Sequence, residues 1–222
     1  MRTQQPEASA FVQSVADVVD FVAGTFDTAH VGITLRRGDG FETVGPTTEV
    51  VRGADSLQRL LREGPWAKAE LSPGFILSND IARDVRWPEW GPRAAAMGLE
   101  RVVSSELDAG GAILGSLNVY RAGGRPFTPD DVETGQLLAS HAAIALRYTQ
   151  HIERLTSALE SRATIGQAQG VLMGRHSMVA EQALSMLQRR SHVLGVPLVE
   201  AARALLQEHG VGAGDSRLNP GT

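Results

Sequence analysis

Cysteine is missing altogether from these 222 residues. Its absence excludes disulfides, thiolate metal sites, cysteine nucleophiles and the attachment of a linear tetrapyrrole through sulfur. Long apolar runs are missing too, since no stretch approaches the roughly 20 residues that a helix needs to cross a bilayer. Met1 to Ala10 lacks the pattern of a secretion signal, so a cytoplasmic protein with no membrane partner is expected. Nor is there a strong charge of either sign. The net charge is −4; residues 152–209 hold six arginines and five glutamates, or +1, which leaves −5 for the rest. A mildly basic C-terminal stretch on an acidic chain permits contact with nucleic acid without demanding it.

The constellations that carry covalent chemistry are absent as well. The six histidines, His30, His141, His151, His176, His192 and His209, include no pair at the spacing of a helical metal site. Ser104 and Ser105 have no G-x-S-x-G context. The glycines at 38, 40, 110 and 111 fall in hairpin turns, not between a strand and a phosphate-binding helix. No catalytic residue, metal or cofactor is expected.

What is present is ordinary globular material, 42% hydrophobic and 21% charged, with room for about two domains. Phe11, Val15, Val18, Val22 and Phe26 form a helical stripe. Val31 to Leu35 reads as a strand that turns through Arg36–Gly40 into a second at Phe41 to Val44. Ala54 to Glu63 reads as a short helix with Leu57, Leu60 and Leu61 inward. A strand follows at Phe75 to Ser78, then a helix after Trp87-Pro88-Glu89-Trp90, then strands at Arg101 to Leu107 and Ala112 to Tyr120. Strand and helix mix without regular alternation, which predicts an α+β domain with an antiparallel sheet flanked by helices.

Thr128, Pro129 and two acids then make a strong helix start: a side-chain cap, proline in the first turn and carboxylates at the positive end. Leu138, His141, Ala145, Tyr148, Ile152, Leu155 and Leu159 recur three and four apart, which predicts one long coiled-coil-like helix and a parallel homodimer. For Leu138 to Ala145, packing under the sheet is the open alternative. Three short amphipathic segments end the pattern. They carry Ile165, Ala168 and Leu172; then Ala180, Leu184, Leu187, Ser191 and Leu194; then Leu198, Ala202 and Leu205. Ser177 is the expected N-cap of the second, Gly195 its end, and Pro197 suits the first turn of the third.

Two resemblances fit this plan. Asp55-Ser56-Leu57-Gln58, Glu63-Gly64-Pro65, Asn79-Asp80-Ile81, Arg86-Trp87-Pro88, Gly115 to Tyr120 and Phe127 to Asp131 resemble a GAF domain over about residues 10–150. Arg162, Ile165, Ala168, Gly170 to Met173, Ala183, Leu187, Ser191 and Ala201 to Leu206 resemble the ANTAR module, the RNA-binding domain of bacterial antiterminators. Gln169 stands where that family commonly has lysine, and Leu184 where it commonly has an aromatic residue. The resemblance implies a sensor domain at 10–150, an all-α three-helix RNA-binding domain at 151–210 and a flexible tail at 211–222.

In a GAF fold, Trp66, Phe75, Trp87 and Trp90 fall in the segment that covers a ligand-sized cavity, so they are the ligand-binding candidates beside ordinary core packing. The cyclic-nucleotide signature of phosphodiesterase-type GAF domains is absent, and the fold does not name a ligand. The RNA-binding candidates are Arg162, Ala168, Gln169, Gly170, Met173, Arg175 and His176 on the first ANTAR helix and Arg189, Arg190 and His192 on the second. Small residues let a base or backbone approach, while arginines grip phosphates and stack on unpaired bases. A signal-responsive transcription antitermination regulator that holds RNA stem-loops is the expectation. The alternative is a ligand sensor whose C-terminal helices bind a protein partner.

Overall fold

The computed structural model describes residues 9–38, 40–66 and 74–210. The tail expected at 211–222 and Asp39 of the predicted hairpin turn lie outside them. The chain divides after His151 into two compact units.

The first unit is built on five strands: β1 (His30–Arg37), β2 (Gly40–Val44), β3 (Phe75–Ser78), β4 (Arg101–Asp108) and β5 (Ile113–Arg121). They lie in the order β2-β1-β5-β4-β3, with every pair antiparallel. Side chains alternate between the two faces. One face sends Val31, Ile33, Leu35, Val103, Leu117 and Val119 into a core closed by α1 (Ala10–Phe26) and the first turns of α4 (Pro129–His176). From α1 come Phe11, Val15, Val19, Val22 and Phe26, close to the predicted stripe. From α4 come mostly small residues, Ala139, Ala142 and Ala143, with Leu146. The helix therefore lies near the strands; a Cβ on Gly135 would stand 3.2 Å from Ser105 Oγ. Gly115 is required for another reason. It has a φ of +157°, and a Cβ there would meet the Thr34 carbonyl oxygen.

The opposite face packs on α2 (Glu49–Leu61), a 3₁₀ turn at Ile81–Arg83 and α3 (Trp90–Ala96) through Val51, Ala54, Ile81, Trp87, Trp90 and Tyr120. Here α2 corrects the sequence reading. It starts five residues earlier than expected, where Thr48 accepts from the Val51 amide at 3.4 Å. Its buried face is Val51, Ala54, Asp55 and Gln58, while Leu60 is exposed. Hydrogen bonds from other elements hold the two polar residues inward; Leu57 and Leu61 still pack half-buried on this core, and Leu60 turns out.

The start of α4 follows the sequence. Asp131 accepts from the Thr128 amide and hydroxyl at 2.8 and 3.0 Å, and its own amide donates back to Thr128 Oγ1 at 3.3 Å. Arg125 grips the same carboxylate through two bonds of 2.6 and 2.9 Å.

The second unit is a bundle of the last turns of α4 with α5 (Ala180–Leu194) and α6 (Leu198–Glu208). Ala168, Leu172, Ala183, Leu187, Ala202 and Leu205 form its core. The stripe expected on α5 holds at its middle, where Leu187 is buried and Leu184 and Ser191 are half-buried, and fails at its ends. Ala183 and Leu187 are buried, while Ala180 and Leu194 are exposed, because the small Ala183 is the residue that faces the other helices. Ser177 is a second correction. It takes a left-handed backbone, φ 51°, after the end of α4. The N-cap position of α5 is Val179, whose amide donates to Gln182 Oε1 at 3.3 Å. Gly195, φ 65°, ends α5 as expected, and Pro197 immediately precedes α6. Between Leu146 and Ala168, α4 holds no fully buried side chain. Tyr148, Ile152, Leu155 and Leu159 are all exposed there.

Candidate nucleic-acid interface

Arg162, Gly166, Gly170 and Met173 follow one another at intervals of four, four and three, so they share one side of α4. All four are exposed. A Cβ added at Gly166, Gly170 or Gly174 would meet nothing within 4 Å, so this side of the helix is open along two turns. Ala168, expected on an approachable face, is wholly buried against the bundle core instead; its spacing from Leu172 assigns it to packing. Gln169 donates through Nε2 to the Ala180 carbonyl at 3.3 Å and so ties α4 to the start of α5. Arg175 and His176 are exposed in the last turn. Helix geometry puts Arg175 about 140° round from Gly170, so the two do not share a face.

On α5, Arg189 and His192 are exposed. Arg190 is not free; its guanidinium pairs with Glu208 of α6 and holds that carboxyl below its usual range. It closes the bundle, a role that single-helix periodicity does not reveal. Three further exposed residues escaped the sequence reading: Gly166, Met186 and Val193. Glycine at positions i, i+4 and i+8 of one helix was the signal for the first.

In the first unit, the four ligand candidates stand in three settings among the described residues. Trp87 and Trp90 are buried in edge-to-face contact, with centroids 5.2 Å apart, and Trp90 Nε1 donates to the Ala54 carbonyl at 3.0 Å. They fill the core between α2 and α3. Trp66 stacks at 4.5 Å on Phe41, and Phe75 stands part-exposed on edge strand β3. A cleft of about 510 Å³ opens beside Phe26 and Arg121 and another of about 470 Å³ between α1 and α4, and none of the four candidates lines these two.

A buried polar cluster, not singled out from the sequence, lies on the α2 side of the sheet. Asp55 accepts from Thr43 at 2.9 Å, from Gln58 at 3.0 Å and from the Tyr120 hydroxyl at 3.4 Å. Burial pushes its carboxyl up to about 6, and these hydrogen bonds offset only part of the rise. Burial, then the neighbouring Asp55, also raises the Tyr120 phenol well above its usual value. Beside it, Ser104 donates to Asn118 at 2.7 Å and Asn118 to Thr34 at 3.1 Å, a polar row across three strands. Among the described residues no cluster of acids and histidines is placed to hold a metal, and no helix is long and apolar enough to cross a membrane.

An antiparallel sheet with helices on both faces makes the first unit an α+β domain, and a three-helix bundle makes the second all-α. Residues 10–147 match the GAF domain and residues 153–206 the ANTAR domain. The chain belongs to the GAF domain family and carries an ANTAR domain after it. GAF domains are sensing domains and ANTAR domains are RNA-binding antitermination modules; neither is a catalytic domain. The fold is similar to that of a GAF domain from Synechocystis sp. PCC6803 in its photoproduct state, with 11% identity and a TM-score of 0.52. That likeness covers 66% of this chain and 99% of the other. It is similar also to the GAF domain of the cyanobacteriochrome TePixJ, with 13% identity, a TM-score of 0.51, and 68% and 98% covered. Such identities speak to the fold alone. No curated protein matches the chain.

Proposed function

We propose that this chain is a cytoplasmic, signal-responsive transcription antitermination regulator. Residues 10–150 sense a small molecule or other signal, and residues 151–210 bind RNA stem-loops as a parallel homodimer. The observation that carries the reading is the open row of Gly166, Gly170 and Gly174. Each glycine inside a helix costs about 1 kcal/mol relative to alanine, and no described residue fills the space they leave. A nucleic-acid backbone or base brought close to α4 gives them a use. Arg162 and Arg189 grip phosphates beside it, Arg175 reaches phosphates from the other side of the helix end, His176 and His192 add donors, and Met173 offers an apolar surface to an unpaired base.

Exposed Tyr148, Ile152, Leu155 and Leu159 support the dimer. The positions that flank this seam are Thr149, His151, Thr156, Ala158 and Ala163, with no acid, lysine or arginine among them, so two identical copies meet there without confronting fixed charges. Two modules then hold two hairpins, and a competing terminator hairpin cannot form. No covalent step is needed, because binding energy shifts the RNA between two folds.

The test is titration of tandem-hairpin RNA with the parent and with Gly170→Leu. Leucine is the better helix former, so the variant should keep its circular dichroism and melting temperature while losing most of its affinity. A variant that binds like the parent would show that this side of α4 is not used. Exposed Val193 and Leu194 favour the protein-partner reading. It takes over if the parent binds no tandem-hairpin RNA and these two residues are needed to hold a protein.

A further inference from the structure

Asp55 lies on α2 with 1% of its surface exposed, yet its hydrogen-bond partners are uncharged. Oδ2 accepts from Thr43 of β2, and Oδ1 accepts from Gln58 Nε2 and from the Tyr120 hydroxyl of β5. Gly32 of β1, whose added Cβ would stand 3.9 Å from Oδ2, brings no charge. Arg59 acts on the carboxyl from further along the same helix, but its side chain is exposed. Tyr120 stays a neutral phenol, since burial raises it well above its usual value. A buried carboxyl with no cation against it gains and loses a proton readily, and burial sets that exchange at about pH 6.

Gln58 carries the consequence outward. A carboxylate only accepts, so it must face the Nε2 end of the Gln58 amide. The other end, Oε1, then accepts from the Trp66 backbone N–H at 3.3 Å. Trp66 stacks on Phe41, and its buried Nε1 has no partner among the described residues, so its polar tie to α2 runs through that N–H. A protonated carboxyl has a hydrogen to give, and Oε1 can turn to accept it. Gly64 packs so closely that a Cβ there would collide with Oε1, so the amide turns in place. Nε2 then meets the Trp66 N–H, donor against donor, and the tie is lost.

We infer that Asp55 is a proton-reading site of the first unit, whose charge selects the end of the Gln58 amide that faces it and so holds or releases Trp66. The inference rests on the sensing role proposed above and names protons as its signal. One other group must be told apart from it. His30, at the start of β1, bonds Thr48 Oγ1 at the N-cap of α2 at 3.0 Å, and burial lowers its imidazole.

The whole chain labelled with nitrogen-15 tryptophan gives three backbone amide signals, and Trp66→Phe identifies the one that matters. In the parent that signal should titrate with a midpoint at about pH 6. Its protection from solvent exchange, corrected for the intrinsic rate, should fall about five-fold on the acid side, the worth of one ordinary hydrogen bond. Asp55→Asn, neutral at every pH, should abolish the titration, and Gln58→Leu should do the same without removing the acid. His30→Gln should leave it in place. A Trp66 signal that ignores pH overturns the inference, as does one that still titrates in both Asp55→Asn and Gln58→Leu or that stops titrating in His30→Gln alone. Tandem-hairpin RNA is then titrated on either side of the midpoint with the parent and Asp55→Asn, which share every histidine of the RNA-binding unit. An affinity difference larger in the parent supports protons as the signal, and equal differences overturn it while the proposed function stands. A parent that binds no RNA at either pH overturns the proposed function instead, and the Trp66 signal alone then decides the proton site.

Discussion

Asp55 holds a proton that the unfolded chain releases, since burial raises its carboxyl from 3.8 to about 6. The sign follows from that direction. Its contribution to stability is fully present below about pH 4, falls as the pH rises towards 6, and is gone above. Two pH units correspond to roughly 3 kcal/mol. Asp55→Asn should therefore melt higher than the parent at pH 7.5 and about level with it at pH 4, as thermal denaturation across that range would show. A variant that melts lower at pH 7.5 would mean the cluster needs the charged form. Asp131 works in the opposite sense. Burial alone would raise it, but Arg125 and the Thr128 amide and hydroxyl outweigh burial and hold the carboxyl well below its usual range. Its contribution is present above the ordinary 3.8 and is lost as the pH falls. Asp131→Ala should cost about 0.5–2 kcal/mol as a lost helix cap and remove part of the acid sensitivity. In the ANTAR unit, Leu187 and Arg189 separate folding from binding. Leu187 is wholly buried, so Leu187→Ala should cost about 2–5 kcal/mol in stability. Arg189→Ala should leave melting alone and flatten the salt dependence of RNA binding by about 0.7–0.9 in slope, the share of one phosphate contact.

Among the elements, the strands and α1 were legible because their apolar periods match their burial. The start of α4 was legible because cap, proline and acids agree. α2 was misplaced for a physical reason: its buried face includes Asp55 and Gln58, which an apolar-stripe argument assigns to solvent. On α5 the expected stripe kept Leu187 but missed Ala183, a small residue that lies where the helices meet. The candidate RNA residues were chosen helix by helix, which could not see Arg190 paired to Glu208 across the bundle or Gln169 bound to Ala180. The seam on α4 has its own prediction. Burying a leucine stabilises a contact by about 1.5–3 kcal/mol, so Ile152→Glu with Leu155→Glu should turn a dimer into a monomer. Sedimentation of an unchanged dimer would move the interface elsewhere on the chain.

At the scale of the whole chain, one helix belongs to two cores. Its first turns give Ala139, Ala142 and Leu146 to the GAF unit, and its last turns give Ala168 and Leu172 to the ANTAR unit. The 21 residues between, 147–167, hold no fully buried side chain, although Thr149 meets Ser14 and Ile165 packs on the ANTAR core. An isolated helix shorter than about 12–15 residues is marginal in water, and a stretch only modestly longer, with no fully buried side chain, opens easily by local fluctuation. Its amide protons should therefore exchange with solvent far faster than those of either core when the protein is dilute. Concentrating the protein, or adding an RNA that holds two copies together, should slow them while the cores hardly change. Deuterium uptake across 147–167 thus becomes a gauge of association, read from a segment that fully buries no side chain in either core.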